Sequence, residues 1–268
     1  MNRLDINNAE ITNINLDDNI SLDYVAQDEF FAVSTINLEI KNDSELRMYF
    51  SATDASKLNI SINIHPNVKF TLYELKSGSK AKTKYTISLS DGSIINSTKL
   101  YITSGVRELD IIDLNGINAE CNMYLTTLAK NKEKYDILVN HNAKNTKSNI
   151  VNHGLTKDDG SIIIDVTSVV PRGITGCDVS QKSRIIEGND ELSQINPNLL
   201  IDEYDVNAAH SAYIGGFNSE ELFYLESRGI EADNARKLLT TGFIKSGLND
   251  YINDEDTKNL LESSGYSE

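Results

Sequence analysis

Leu58-Asn59-Ile60-Ser61-Ile62-Asn63-Ile64 sets an aliphatic residue at every second position and a small polar one between. A period of two is that of a β-strand with one face turned to a core and the other to water. Working outward, runs of the same character recur at Lys82 to Leu89, Lys99 to Thr103, Leu109 to Leu114, Asn122 to Leu128, Tyr135 to Val139, Ser161 to Val166 and Leu199 to Val206. From about Phe30 to Val206 they are rich in Ile, Val, Tyr and Thr and are bounded by Asn, Asp, Ser, Gly or Lys. Their centres lie about 12 residues apart, enough for one strand and a turn, so neighbours within one sheet would be about 24 apart in a coil of two strands per turn. This reading is a β-solenoid. A β-sandwich also uses short alternating strands at similar intervals. Three prolines and few hairpin dipeptides, Asp91-Gly92 among them, favour the coil.

The chain has 268 residues, enough for a full core, with Asp and Glu at 40 against Lys and Arg at 25 and a formal charge of −15. Such a field repels phosphate backbones and anionic lipid, so neither nucleic acid nor a membrane is expected as a partner. The start, MNRLDINNAE, has no apolar signal region, and no run approaches the roughly 20 apolar residues of a membrane span; a cytoplasmic protein is expected. Cys121 and Cys177 are the two cysteines, without paired spacing, so no disulfide framework or cysteine-only metal site is encoded.

The pattern changes within Asp205-Val-Asn-Ala-Ala-His-Ser-Ala-Tyr-Ile-Gly-Gly-Phe-Asn-Ser-Glu-Glu-Leu-Phe-Tyr-Leu-Glu-Ser-Arg-Gly-Ile230, where strand signals give way to helix signals around His210. Asn218 is a candidate N-cap, Glu220 and Glu221 suit the positive end of the helix dipole, and Glu221 stands where a capping box needs its acid. Leu222, Phe223 and Leu225 give an apolar stripe, and Gly229 a left-handed stop. A second helix begins near Asp233, with Ala235, Leu238, Leu239, Gly242 and Phe243 on one face. The tail beyond Asn253 is polar apart from Leu260 and Leu261, and reads as a short helix before Gly265 or as loose chain. These signals divide the chain into a β-helix core, 1–206, and a small C-terminal helical domain, 207–268.

Over much of Ile137 to Ile244 the sequence resembles the SufB/SufD family of iron–sulfur cluster assembly scaffolds, the SufD branch in particular. The residues that carry the resemblance are Pro197-Asn-Leu-Leu-Ile201, Asp205-Val206, Ala208-Ala-His-Ser-Ala212 and Phe223-Tyr-Leu-Glu-Ser-Arg-Gly-Ile230, preceded by His141-Asn-Ala-Lys-Asn-Thr-Lys-Ser-Asn149 and Asp178-Val-Ser-Gln-Lys-Ser-Arg-Ile-Ile186. Their order and spacing are together specific. Earlier residues match in character only, and the N-terminal helical region of longer SufD-like chains is not expected here. The resemblance implies a right-handed parallel β-helix followed by helices, in a non-catalytic scaffold that pairs with SufB, or with a second copy of itself, and docks the SufC ATPase. The family's Cys-Ser-His-Gly-Ala turn reads Ala208-Ala209-His210-Ser211-Ala212 here, and the Glu of its Pro-x-Leu-Glu-Ile strand is Leu200. Without that thiol the strongest iron or sulfur ligand is gone, since clusters are mostly held by thiolates. A transient cluster would then be shared with a partner and not held by this chain alone.

Within that frame His210 is the candidate cluster ligand at an interface, because neutral imidazole suits borderline metals; the ordinary alternative is a histidine hydrogen-bonded across a strand pairing. The strand edge with Leu199, Ile201, Tyr204, Asp205 and Val206 is the candidate dimer interface. Phe223, Tyr224, Leu225, Arg228 and Ile230, with Leu238, Leu239 and Phe243, are the candidate ATPase-docking surface; the same side chains would also pack the two helices together, and a hairpin of about 28 residues must lean on something.

Other polar residues have ordinary readings. His141 and His153 fall in successive strands on different faces, which disfavours a shared metal and leaves turn or surface hydrogen bonds; His65 beside Pro66 reads as a turn residue. Cys121 and Cys177 read as small buried hydrophobes. Asp158-Asp159 before Gly160 reads as a turn and Asp17-Asp18 as a loop. No nucleophile elbow, Walker A, GxGxxG or HExxH motif occurs, so no enzyme is expected. Two rival functions remain: a SufD-like subunit that only stabilises a complex, supported by Ala208 and Ser211, and a β-helical carbohydrate-active enzyme, which the absence of Trp disfavours.

Overall fold

The computed structural model describes residues 2–6, 11–16, 20–25, 33–52, 56–78, 80–188, 192–248, 251 and 255–264. The loop expected at Asp17-Asp18 lies outside them. Strands alternate between two parallel sheets. One holds β1 (Asn2–Ile6), β3 (Ile20–Val25), β5 (Ser44–Ala52), β7 (Lys69–Gly78), β9 (Ile94–Thr103), β11 (Glu120–Ala129), β13 (Lys147–Thr156), β15 (Cys177–Ile186) and β17 (Val206–Gly215), in that spatial order. The other holds β2 (Ile11–Leu16), β4 (Val33–Ile40), β6 (Ser56–Ile64), β8 (Ala81–Leu89), β10 (Val106–Leu114), β12 (Lys132–His141), β14 (Ser161–Val170) and β16 (Gln194–Ile201). Below they are sheets A and B. Odd strands in one sheet and even strands in the other make a parallel β-solenoid, as the strand spacing predicts. Among the described residues strands of the coil are already present at Asn2–Ile6, well before Phe30.

The repeat starts near the predicted length and then grows: side chains stacked in adjacent rungs are 24 residues apart at Asn63 and Glu39, 27 at Asn140 and Asp113, and 31 at Asn196 and Asp165. One corner recurs with a left-handed residue in each turn: Asn67 (φ 58), Gly92 (φ 63), Asn118 (φ 61), Asn145 (φ 58) and Gly176 (φ 74). Glycine and asparagine reach this region most cheaply, which is why they punctuate the sequence here. Each of these N–H groups donates to a carbonyl in the next turn, from Asn67 to Asp91 at 2.8 Å through to Gly176 and Asp205 at 2.7 Å, so the corners stack as the strands do. Asp91-Gly92 therefore turns a corner between β8 and β9 and makes no hairpin. Lys157 to Gly160 forms the expected turn, with Asp158 at φ 57.

Leu199 to Val206, expected as one strand, is two strand ends joined across the corner at 202–205. β17 then runs through His210 to Gly215, so the change to helix comes only at Ser219, beyond the sequence-based boundary at 206. The histidine is mid-strand because its neighbours pair residue by residue with β15. Three helices follow: α1 (Ser219–Ser227), α2 (Ala232–Ser246) and α3 (Glu255–Ser263). Asn218 caps α1, its side chain accepting from the Glu220 N–H at 3.0 Å, and Gly229 takes φ 85. No described helix is long and apolar enough to cross a membrane.

The lumen is filled by the aliphatic column residues, among them Leu58, Ile60, Ile62 and Ile64 at 1 % exposure or less. A second apolar layer lies outside sheet A. Leu75, Leu100, Ile102, Leu128, Leu155 and Ile186 on its outer face pack against Phe243, Ile244, Leu248 and Tyr251 and against Leu261 of α3. Tyr251 stacks on Tyr73 at 3.8 Å between ring centroids, and the Tyr73 hydroxyl is hydrogen-bonded to Thr257. The helical segment is thus a roof on the solenoid wall. The hairpin's need for support is met by sheet A.

Candidate functional site

The candidate assembly surface is the end of the solenoid where the coil stops. β17 and β16 are the terminal strands of their sheets, each paired on one side only, with β15 and β14. Their free edges present unpaired backbone donors and acceptors. Leu199, Ile201, Val206 and Ala208 rest half-buried on Val170, Cys177 and Val179, forming a last layer that no further turn covers. Tyr204 at the corner is fully exposed, and Leu200 faces outward at 58 % exposure. All five candidate interface residues thus lie at this end.

His210 stands in register with Gln181, which is buried inside the coil, and so continues the lumen-facing column with Val206, Ala208, Ala212 and Ile214. With no turn above it, it is exposed. Its nearest same-face neighbours on β17 are Ala208 and Ala212, neither a ligand. Among the described residues no group of three or more His, Cys, Asp or Glu is placed to hold a metal ion.

The candidate docking residues divide. Phe223, Tyr224 and Leu238 are 72 %, 57 % and 53 % exposed, Arg228 is exposed and lies over the Tyr224 ring, and Leu225, Ile230 and Leu239 are partly buried between. Phe243 does not belong with them: it is buried against sheet A, stacked on His153 and edge-on to Phe217. The helical period set Phe243 on one face with Leu238, but Ala235, Leu239 and Phe243, four residues apart, form the inward side of α2 and Leu238 lies on its exposed flank.

The sequence reading missed a cluster of charged residues sealed inside the solenoid. Glu74 and Lys76 on β7, Lys99 on β9, and Glu108 and Asp110 on β10 are all at 3 % exposure or less. Lys76 Nζ donates to Glu108 at 2.7 Å and Thr83 at 3.0 Å, and Lys99 Nζ to Glu108 at 2.7 Å and Asp110 at 2.8 Å. The Tyr85 and Tyr101 hydroxyls donate to Glu74 at 2.5 and 2.8 Å. Three carboxylates face two ammonium groups, so neutrality requires one proton. Burial works against ionising Glu108, but Lys76 and Lys99 outweigh it and hold its carboxyl down at about 2; at Asp110 burial, aided by Glu108, prevails over Lys99 and lifts the carboxyl to about 7. Of these two carboxyls Asp110 is therefore the one that resists ionisation. Beside this cluster, burial raises the Glu133 carboxyl, which accepts from Thr103, Thr127 and Tyr135. Strand parity carried the signal: with Phe70 and Leu72 inward, Glu74 and Lys76 must also be inward.

The remaining histidines and cysteines are structural. His141 is not at the surface: it is buried, with Nδ1 2.8 Å from Thr146 Oγ1 and Nε2 3.0 Å from Ser148 Oγ, and burial pushes it down to about 4. His153 lies on the outer face of sheet A, in the other sheet from His141, under α2. His65 is at a corner, 3.0 Å from Glu39. Cys121 is buried, which pushes its thiol up to about 12, and Cys177 is buried next to Thr146.

The chain is 28 % identical over 177 residues to the iron–sulfur cluster assembly protein SufD of Bacillus subtilis, a match covering 65 % of this chain and 38 % of that protein. It is 32 % identical over 117 residues to a SufBD family protein of Mycobacterium leprae and 34 % over 116 to one of Mycobacterium tuberculosis, each match covering 40 % of this chain and about 30 % of the relative. The matched stretch thus spans well under half of each relative's length. The family model described as SUF system FeS cluster assembly, SufBD core domain, matches residues 9–243, and the chain belongs to the SufBD core family of that system.

Proposed function

We propose that this chain is a non-catalytic scaffold subunit for iron–sulfur cluster assembly, with two docking surfaces. The observation that carries the reading is the open end of the coil, where β16 and β17 leave two parallel sheet edges and a half-covered apolar layer beside an exposed histidine. A second SufBD-type chain, SufB-like or another copy, would extend those sheets by backbone pairing, which tolerates Leu200 because main-chain bonds do not depend on side-chain identity. His210 would then face ligands of the partner, with the cluster as passing cargo. The exposed aromatic face of α1, with Leu238, is the docking surface for a SufC-like ATPase, which would deliver conformational work to the solenoid through α2.

A second reading keeps the assembly and drops the cluster contact. It is favoured by Ala208, which gives His210 no thiolate neighbour. Co-expression with a SufB-like and a SufC-like protein tests both. Ile214→Lys, which sets a charge in the open lumen, is expected to prevent pairing with the SufB-like chain, and Phe223→Ser with Tyr224→Ser to release the ATPase; unchanged size-exclusion profiles in both would refute the scaffold. His210→Ala should leave the complex intact and lower cluster content after anaerobic reconstitution with iron and sulfide. Undiminished content selects the second reading.

A further inference from the structure

The outer face of sheet B carries a cationic ladder that neither docking surface uses. Lys57 on β6, Lys82 on β8, Arg107 on β10 and Lys134 on β12 are consecutive partners in the parallel register. Four rungs at about 4.8 Å place these charges along a line of about 14 Å. Lys57, Lys82 and Arg107 are exposed, and with Lys80, Lys132 and Gly105 they line a groove of about 470 Å³. Only Lys134 is neutralised, 2.9 Å from Asp136 and 3.1 Å from Asp165. None of the other cations has an ion-pair partner among the described residues.

Stacking like charges in register is unfavourable by itself. In a chain of net charge −15 there are carboxylates enough to pair them, yet none stands in this column. We propose that the ladder docks an acidic, extended polypeptide segment of a protein partner. An extended strand sets every second side chain about 6.8 Å apart, so three acidic residues at alternate positions, over about 14 Å, cover the roughly 10 Å of unpaired cations from Lys57 to Arg107. Single-stranded nucleic acid fits less well. The outward positions of these rungs are Lys, Arg, Asn, Ser, Thr, Asp, Leu and Ile, with no aromatic on which a base could stack, and a long polyanion would run off the strip into a repulsive field.

The probe is a fluorescein-labelled Glu-Ala-Glu-Ala-Glu-Ala-Glu peptide, with its Gln counterpart as control, read by fluorescence anisotropy on the full chain. The acidic peptide is expected to bind, more weakly as salt is raised, and the Gln peptide is not. Lys82→Glu with Arg107→Glu should weaken binding by about tenfold or more, while Lys258→Glu, away from the strip, leaves it unchanged. Should the reversed variant lose its wild-type melting profile, Lys82→Gln with Arg107→Gln makes the same comparison with a smaller drop. Equal affinity in wild type and either double variant overturns the proposal. So does tighter binding of an oligothymidylate of equal charge, or displacement of the peptide by pyrophosphate at equimolar concentration.

Discussion

Lys99 shows how far a single residue's role depends on what surrounds it. Its ammonium sits between Glu108 and Asp110 and within 4.0 Å of the Tyr85 ring centroid, with no exposure. Removing one member of such a network leaves a buried charge uncompensated, so Lys99→Met should cost about 3–5 kcal/mol in denaturant unfolding at pH 8. Adding Asp110→Asn should return more than about 1 kcal/mol of it, since the carboxyl that most resists ionisation is then gone. His141 gives a pH signature opposite to that of a histidine in an ion pair, whose value would be raised. Its folded value, about 4, is below the ordinary one, so its contribution is complete above about pH 6.5 and is lost as pH falls from there towards 4, by up to about 3 kcal/mol. Stability measured from pH 7 to pH 4 should fall less steeply in His141→Gln.

Among the elements, α2 is held by closeness as well as by apolar area. A Cβ at Gly247 would come within 2.1 Å of Thr126 Oγ1 and 3.1 Å of His153 Nδ1, whereas one at Gly242 meets nothing within 4 Å. The two glycines should therefore respond in opposite ways. Gly247→Ala is expected to destabilise by about 1–3 kcal/mol by lifting the end of α2 off the sheet. Gly242→Ala should stabilise by up to about 1 kcal/mol through helix propensity alone. Thermal unfolding checks both. The roof also explains why β9 is buried on both faces: Lys99 and Tyr101 face the lumen while Leu100 and Ile102 lie under the helices. A lysine turned inward and a leucine outward invert the usual reading of an alternating strand.

At the scale of the whole molecule, charge and edges are sorted into separate regions: an interior ion cluster, a basic ladder on sheet B, and an open end whose strands, β16 and β17, carry no Asp, Glu, Lys or Arg. The sequence by itself determined short strands of period two at about 12-residue spacing, a pattern Leu58 to Ile64 states almost without exception, and its few hairpin dipeptides favoured a coil over a sandwich; the structure decided between them. Two helices were legible as well, through Asn218, Gly229 and the apolar spacing of α2, as was the segment where strand signals give way to them, whereas the tail read as a short helix or as loose chain and the fold made it α3. Only the tertiary structure decided that His210 belongs to the last strand and not to a turn, that Phe243 is anchored in the wall while Phe223 and Tyr224 are free, and which side of β7 and β9 faces the lumen. Local pattern encodes a residue's parity along its strand. Which side is inside depends on the strand one turn away and on a helix more than a hundred residues later, and those contacts exist only once the chain has folded.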